Sequence, residues 1–164
     1  YDPRIPLGVM IEVPSAVPMA HLLIQHADFL SIGTNDLIQY TLAVDRNNER
    51  VASFFEPLHP AILSFIFQVA SAGLKAQKPV GICGEMASDP FIITLLVGLG
   101  ITSLSMIPSY ILMAKKVIRK LNYQEAQKMA KEALQLSRIQ EVKALLARFQ
   151  SIGESPTQKY DLPS

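Results

Sequence analysis

Three stretches of this 164-residue chain run into side chains that could do chemistry. Leu7 to Val13 carries Glu12 at its end, Phe29 to Gly33 leads into Thr34-Asn35-Asp36, and Pro79 to Cys83 leads into Gly84-Glu85. Glu12 and Asp36 supply oxygens of the kind Mg²⁺ prefers, one or two carboxylates with water and substrate phosphate in the remaining positions. The commoner role of a single carboxylate just after a strand is a helix cap or a solvated rim residue. Asn35 and Asp36 open a long connection from Leu37 to Pro57 with few apolar anchors, and loops of that length in compact domains are often functional. Within it Arg46 could clamp a phosphate or carboxylate with its planar fork, or pair with Asp45 or Glu49 on a solvated loop, the reading that spacing alone favours. Cys83, the single cysteine, could be a nucleophile, a proton donor or a small buried apolar residue. The histidines offer less. His21 and His26 lie five apart, about 140° around a helix, so they are poorly placed to share a metal, and His59 before Pro60 reads as a structural residue at a helix start.

The elements that must position these groups follow from the apolar pattern. Leu7 to Val13, Phe29 to Gly33, Pro79 to Cys83 and Ser103 to Ile107 are short runs without alternation, as expected of parallel strands buried on both faces. Between them lie helices. Ser15 is placed to cap one through His26, with Pro18 in its first turn. Pro60 opens another, in which Ile62, Phe65, Ile66 and Val69 share a face. Asp89-Pro90 starts a third, ending at Gly98 or Gly100, and Pro108 a fourth, ending near Leu121. The order is βαβαβαβα with right-handed crossovers: an α/β fold, either half of a (β/α)8 barrel or a small doubly wound sheet. Catalytic groups in such folds gather at the carboxyl ends of the strands, where all three endings fall. Beyond Leu121, Asn122 with Glu125 resembles a capping box ahead of an Ala126, Met129, Ala130, Ala133 stripe. Ser137 with Gln140 precedes Val142, Leu145, Leu146 and Phe149. The expected organisation is four βα units over 1–121, a helical appendix over 122–150 and a disordered tail over 151–164.

Composition narrows the function classes. With 49% hydrophobic and 18% charged residues the chain reads as soluble and globular, and its longest apolar runs are too short to span a bilayer. Fifteen basic residues against 14 acidic ones give a net charge of +1, which supplies no drive toward nucleic acid or an anionic membrane. One cysteine excludes an internal disulfide and a cysteine-rich zinc site, and suits the reducing cytoplasm. Tyr1 to Pro6 lack a basic start and an apolar core, so no secretory signal is expected, and the absence of an initial Met suggests a fragment.

Four segments together, Gly8-Val9-Met10-Ile11-Glu12-Val13-Pro14, the run from Ser31 to Arg46, Pro57-Leu58-His59-Pro60 and Gly81-Ile82-Cys83-Gly84-Glu85-Met86-Ala87, resemble enzyme I of the bacterial phosphoenolpyruvate-dependent phosphotransferase system. Pyruvate phosphate dikinase and phosphoenolpyruvate synthase share the general pattern, but Gln39-Tyr40-Thr41-Leu42-Ala43-Val44-Asp45-Arg46 is most similar to enzyme I. The appendix and Leu104 to Ser109 look more like the nitrogen-related branch. The resemblance implies the C-terminal half of a (β/α)8 TIM-type barrel, four βα units plus the appendix. It implies Glu12 and Asp36 as Mg²⁺ ligands, Asn35 and Arg46 as residues that hold phosphoenolpyruvate, and Cys83 as the acid that protonates the enolate. It further implies homodimerisation through the barrel, and transfer to an enzyme histidine in a separate domain and on to a phosphocarrier protein, with pyruvate released.

The residue types suit that chemistry. Charge builds on the phosphoryl and enolate oxygens, where Mg²⁺ and an arginine stabilise it. A thiol, with an ordinary pKa of about 8.5, can give a proton to carbon near neutrality and be restored. A magnesium-dependent aldolase would need the carboxylates but no cysteine acid, and a non-catalytic dimerisation module would need neither.

Overall fold

The computed structural model describes residue 2 and residues 4 to 153, the side chains of 150–153 apart. Four parallel strands, β1 (Gly8–Ile11), β2 (Phe29–Gly33), β3 (Val80–Cys83) and β4 (Ser103–Ser105), form one sheet in sequence order. Parallel neighbours in sequence order require a crossover between each pair. These are supplied by α1 (Ala20–Leu23), by α2 (Thr34–Leu42) with α3 (Pro60–Ala76), and by α4 (Pro90–Gly98); α5 (Pro108–Lys120), α6 (Tyr123–Ala133) and α7 (Ile139–Gly153) follow β4. The tail expected over 151–164 overlaps α7 at residues 151–153, and the rest of it lies outside the described residues.

The expectation of strands buried on both faces is corrected: helices cover one face only. Ile11, Leu30, Ile32, Val80 and Ile82 point into the helical layer and are at most 1% exposed. The register sets Met10 beside Ser31, Ser31 beside Gly81 and Gly81 beside Ser103 on the other face, and there Met10 is 51% exposed. The runs concealed this alternation because their second face is made of Gly, Ser, Cys and Met, which do not read as polar.

Two connections also differ from expectation. Between Pro14 and His26 there is no single Ser15-capped helix but a 3₁₀ turn (Pro14–Ala16), the single turn of α1 and a second 3₁₀ turn (Ile24–His26), none with a side-chain cap. Pro18 has no N–H to donate, and around it the chain winds by three-residue steps, with Val17 N–H donating to Pro14 O, Met19 to Ala16 and Ala20 to Val17. After β2 the expected loop is instead helix α2, which buries Leu37 and Ile38 and ends in left-handed Ala43, with Val44 N–H donating to Gln39 O at 3.0 Å. Irregular chain, including a 3₁₀ turn at Ala52–Phe54, fills the remainder up to Pro60.

Elsewhere the start signals hold. His59 Nδ1 accepts from Ala61 N–H at 3.1 Å and Asp89 Oδ1 from Phe91 N–H at 2.8 Å, each ahead of a first-turn proline. Asn122 Oδ1 accepts from Gln124 and Glu125 N–H. α7 starts at Ile139, so the residue before it is Arg138 and not the expected Ser137, and Glu141 reaches back to Arg138 N–H at 3.2 Å. The appendix is not set apart from the rest. Met129, Ala130, Ala133, Val142, Leu145 and Leu146 belong to the same apolar core as the sheet residues, and α6 crosses α4 at Gly98, where a Cβ would strike the Ala126 carbonyl.

Candidate functional site

At the carboxyl ends of β2 and β3 the backbone leaves no slack. α2 begins at Thr34, immediately after Gly33 ends β2, so Asn35 and Asp36 sit in the first turn of a helix and not in a loop. Thr34 is fully buried, and its hydroxyl donates to Cys83 O at 2.7 Å, which locks the start of α2 to the end of β3. The Cys83 thiol is half-buried and directed at Ile32 O, 3.5 Å away.

Gly84 then turns the chain with φ of +106°, a region that side chains disfavour. A Cβ there would strike the Thr34 hydroxyl and lie 2.9 Å from Asn35 Oδ1, so the bare glycine lets Asn35 come close. Glu85 N–H donates to Asn35 Oδ1 at 3.4 Å, and Arg46 Nη1 donates to Glu85 Oε1 at 3.2 Å. Asp45, which spacing had offered as the partner of Arg46, instead accepts from Asn47 N–H at 2.9 Å. Asn35, Arg46 and Cys83, separated by up to 48 positions in the chain, are thus brought together through Cys83-Gly84-Glu85.

The two carboxylates complete the rim. Glu12 follows β1 and lies against Gly33, its Oε2 3.0 Å from where a Cβ would be; Asp36 is exposed next to Asn35. Neither makes a hydrogen bond or ion pair among the described residues. Two carboxylates without protein donors, at neighbouring strand ends, fit a hard divalent cation that keeps several waters. Among the described residues no three His, Cys, Asp or Glu groups gather where they could hold a metal ion.

Other features carry less chemistry. A groove of about 450 Å³ lies at the opposite, amino ends of β3 and β4, where its charged residue Lys78 spends its amine on the carbonyls of Ile24 and Ala27. The His21 ring is bonded to Pro18 O and His59 caps α3. Thr34, Gly84 and Glu85 are the residues that sequence reasoning left without a role. Glu85 had a signal in its place two residues past Cys83 at a strand end, whereas Thr34 and Gly84 act through contacts that spacing does not reveal. No helix among the described residues is long and apolar enough to cross a membrane.

Comparison with known proteins gives the family. Residues 1–123 match the family model described as the PEP-binding domain of PEP-utilising enzymes, PEP being phosphoenolpyruvate. The chain is 47% identical over 143 residues to the phosphoenolpyruvate-protein phosphotransferase of Mycoplasma pneumoniae, covering 87% of this chain and 25% of that protein. It is 44% identical over 149 residues to that of Haemophilus influenzae, covering 91% and 26%. It is 45% identical over 146 residues to the multiphosphoryl transfer protein of Xanthomonas campestris, covering 89% and 17%. The chain therefore spans about a quarter or less of the length of these relatives. On the extent of the model match and on these identities, the chain belongs to the PEP-binding domain family of PEP-utilising enzymes.

Proposed function

We propose that this chain forms one wall of the phosphoenolpyruvate site of a phosphoenolpyruvate-protein phosphotransferase. In this reading residues 1–121 are the C-terminal half of a (β/α)8 barrel, and the helices from residue 122 are an appendix packed against it. The observation that carries the reading is the gathering of Asn35, Arg46 and Cys83 by the Cys83-Gly84-Glu85 turn, with Glu12 and Asp36 beside them. The printed names of the relatives support phosphoryl transfer as the activity.

Each residue has one task. Arg46 grips the phosphoryl oxygens with its planar donors, and Asn35 orients the substrate beside them. Glu12 and Asp36 would hold Mg²⁺, which when bound supplies positive charge to the phosphoryl and enolate oxygens. An acceptor histidine, contributed by another domain, forms the new N–P bond as the bridging O–P bond of phosphoenolpyruvate breaks and leaves the enolate. The Cys83 thiol then gives its proton to the enolate CH₂ carbon, producing pyruvate and a thiolate that solvent reprotonates. The phosphorylated histidine passes its phosphoryl group to a phosphocarrier protein. Dimerisation and a cytoplasmic setting belong to the same reading.

The deciding experiment measures Mg²⁺-dependent pyruvate formation in the intact phosphotransferase carrying this chain. Cys83→Ala is expected to lower turnover about 100-fold or more, the usual worth of a placed general acid, while binding of phosphoenolpyruvate persists. Unchanged turnover would overturn the role of Cys83 and favour a non-catalytic assembly module.

A further inference from the structure

Glu85 is 77% exposed at its side chain and lies outside the set of groups that meet substrate in the reading above, yet it touches two of them. Its amide N–H donates to Asn35 Oδ1 and its carboxylate accepts from Arg46 Nη1. We propose that Glu85 is a positioning residue, a two-handed tether that holds the Arg46 guanidinium and the Asn35 amide in register with the Cys83 thiol. The proposal rests on the phosphoenolpyruvate reading for its consequence in binding, but not for the tether itself.

The loop makes the need for a tether plain. Residues 45 to 50 are all exposed, and an arginine on such a loop has rotamer freedom that substrate binding would have to overcome. After Val44, which is 3% exposed and anchors the base of the loop, the other hydrogen bonds of residues 45 to 50 run within the 45–52 segment, from Asn47 and Asn48 to Asp45 and from Arg50, Val51 and Ala52 to Asn48. The contact of Arg46 with Glu85 spans 39 positions and is the only one of these that reaches the sheet. It engages one terminal nitrogen of a fork with five donors, so it fixes the group while leaving the remaining donors for a phosphoryl oxygen. The backbone of Glu85 is itself held, because its own amide is tied to Asn35 just past the turn at Gly84.

An exposed ion pair is a weak one, and that sets the expected size of the effect. Pairs of this kind contribute about 0.2–1 kcal/mol, so Glu85→Gln in the intact phosphotransferase should raise KM for phosphoenolpyruvate about two- to five-fold. Turnover at saturation should stay within about two-fold, since Arg46 grips the phosphoryl group before and during transfer. Glu85→Asp should recover part of the loss. In an Arg46→Ala background Glu85→Gln should add nothing, because the partner through which it acts is gone.

A second measurement needs no substrate. Trypsin cuts after Arg46 only when that side chain is released, so Glu85→Gln should speed this cut about two- to five-fold in the folded protein, with Arg50 as the internal reference. An unchanged cut, or a KM effect that persists in the Arg46→Ala background, would overturn the tether. A faster cut in a protein whose wild type neither binds nor turns over phosphoenolpyruvate would leave the tether standing and refute the substrate.

Discussion

Two small local facts decide whether the rim at the ends of β2 and β3 keeps its shape. Gly84 occupies φ of +106° and ψ of −178°, a combination open almost only to glycine, and a non-glycine residue there carries a cost of order 1–3 kcal/mol. Its added Cβ would also push against Thr34 and Asn35. Gly84→Ala is therefore expected to lower unfolding free energy by about 1–3 kcal/mol in urea denaturation, and also to raise KM for phosphoenolpyruvate, because relief of the clash displaces Asn35. A stability loss with unaltered KM would show that Asn35 does not depend on the turn. Thr34 offers a separate test. Its hydroxyl is the buried donor to Cys83 O, and removing it in Thr34→Val costs about 1 kcal/mol for the lost bond, while Thr34→Ser keeps the donor and should retain most of that. A larger loss in Thr34→Ser, which alone lacks the methyl group, than in Thr34→Val would assign the effect to packing of that methyl group and not to the hydrogen bond.

Helices and strands are where the sequence proved readable and where it misled. Prolines with a capping residue before them marked the starts of α3 and α4, since a side-chain acceptor and a missing N–H are both local signals. α2 gave no such signal. Its N-cap is Gly33, which has no side chain to cap with, and the buried pair Leu37 and Ile38 is too short a stripe to declare a period. Asn35 and Asp36 were legible as candidates, but the helix that aims them was not. Neither was the pairing of Arg46 with Glu85, which depends on two loops meeting across the sheet. The α4–α6 crossing permits an argument from magnitude. Gly→Ala inside a helix ordinarily stabilises by about 1 kcal/mol, yet a Cβ at Gly98 would strike the Ala126 backbone, and overpacking against backbone typically costs about 1–3 kcal/mol. The clash should win. Gly98→Ala is expected to speed amide exchange along Tyr123–Ala133 while β2 and β3 amides stay protected; unchanged exchange in α6 would mean that the two helices separate without cost.

At the scale of the whole molecule, one sheet face and one rim stand open. Met10 is 51% exposed among the small residues of the bare face, and Tyr110, Ile111, Leu112, Met113 and Ile118 on α5 are 39–79% exposed. In the barrel reading the partner half covers that surface and adds the opposite wall of the site. Affinity shows what this wall would be worth. The chain brings one arginine to the rim and a net charge of only +1, so no general field draws in an anion. A charge-assisted hydrogen bond contributes about 1.5–3 kcal/mol, and a dissociation constant of 1 mM already requires about 4.1 kcal/mol. Arg46, Asn35 and a cation held by Glu12 and Asp36 reach that level and little beyond it. Isothermal titration of the 164-residue chain with phosphoenolpyruvate and Mg²⁺ is therefore expected to give millimolar or weaker binding, and Arg46→Ala should abolish what there is. Micromolar affinity would mean that the rim described here is a complete site and that no second wall is needed.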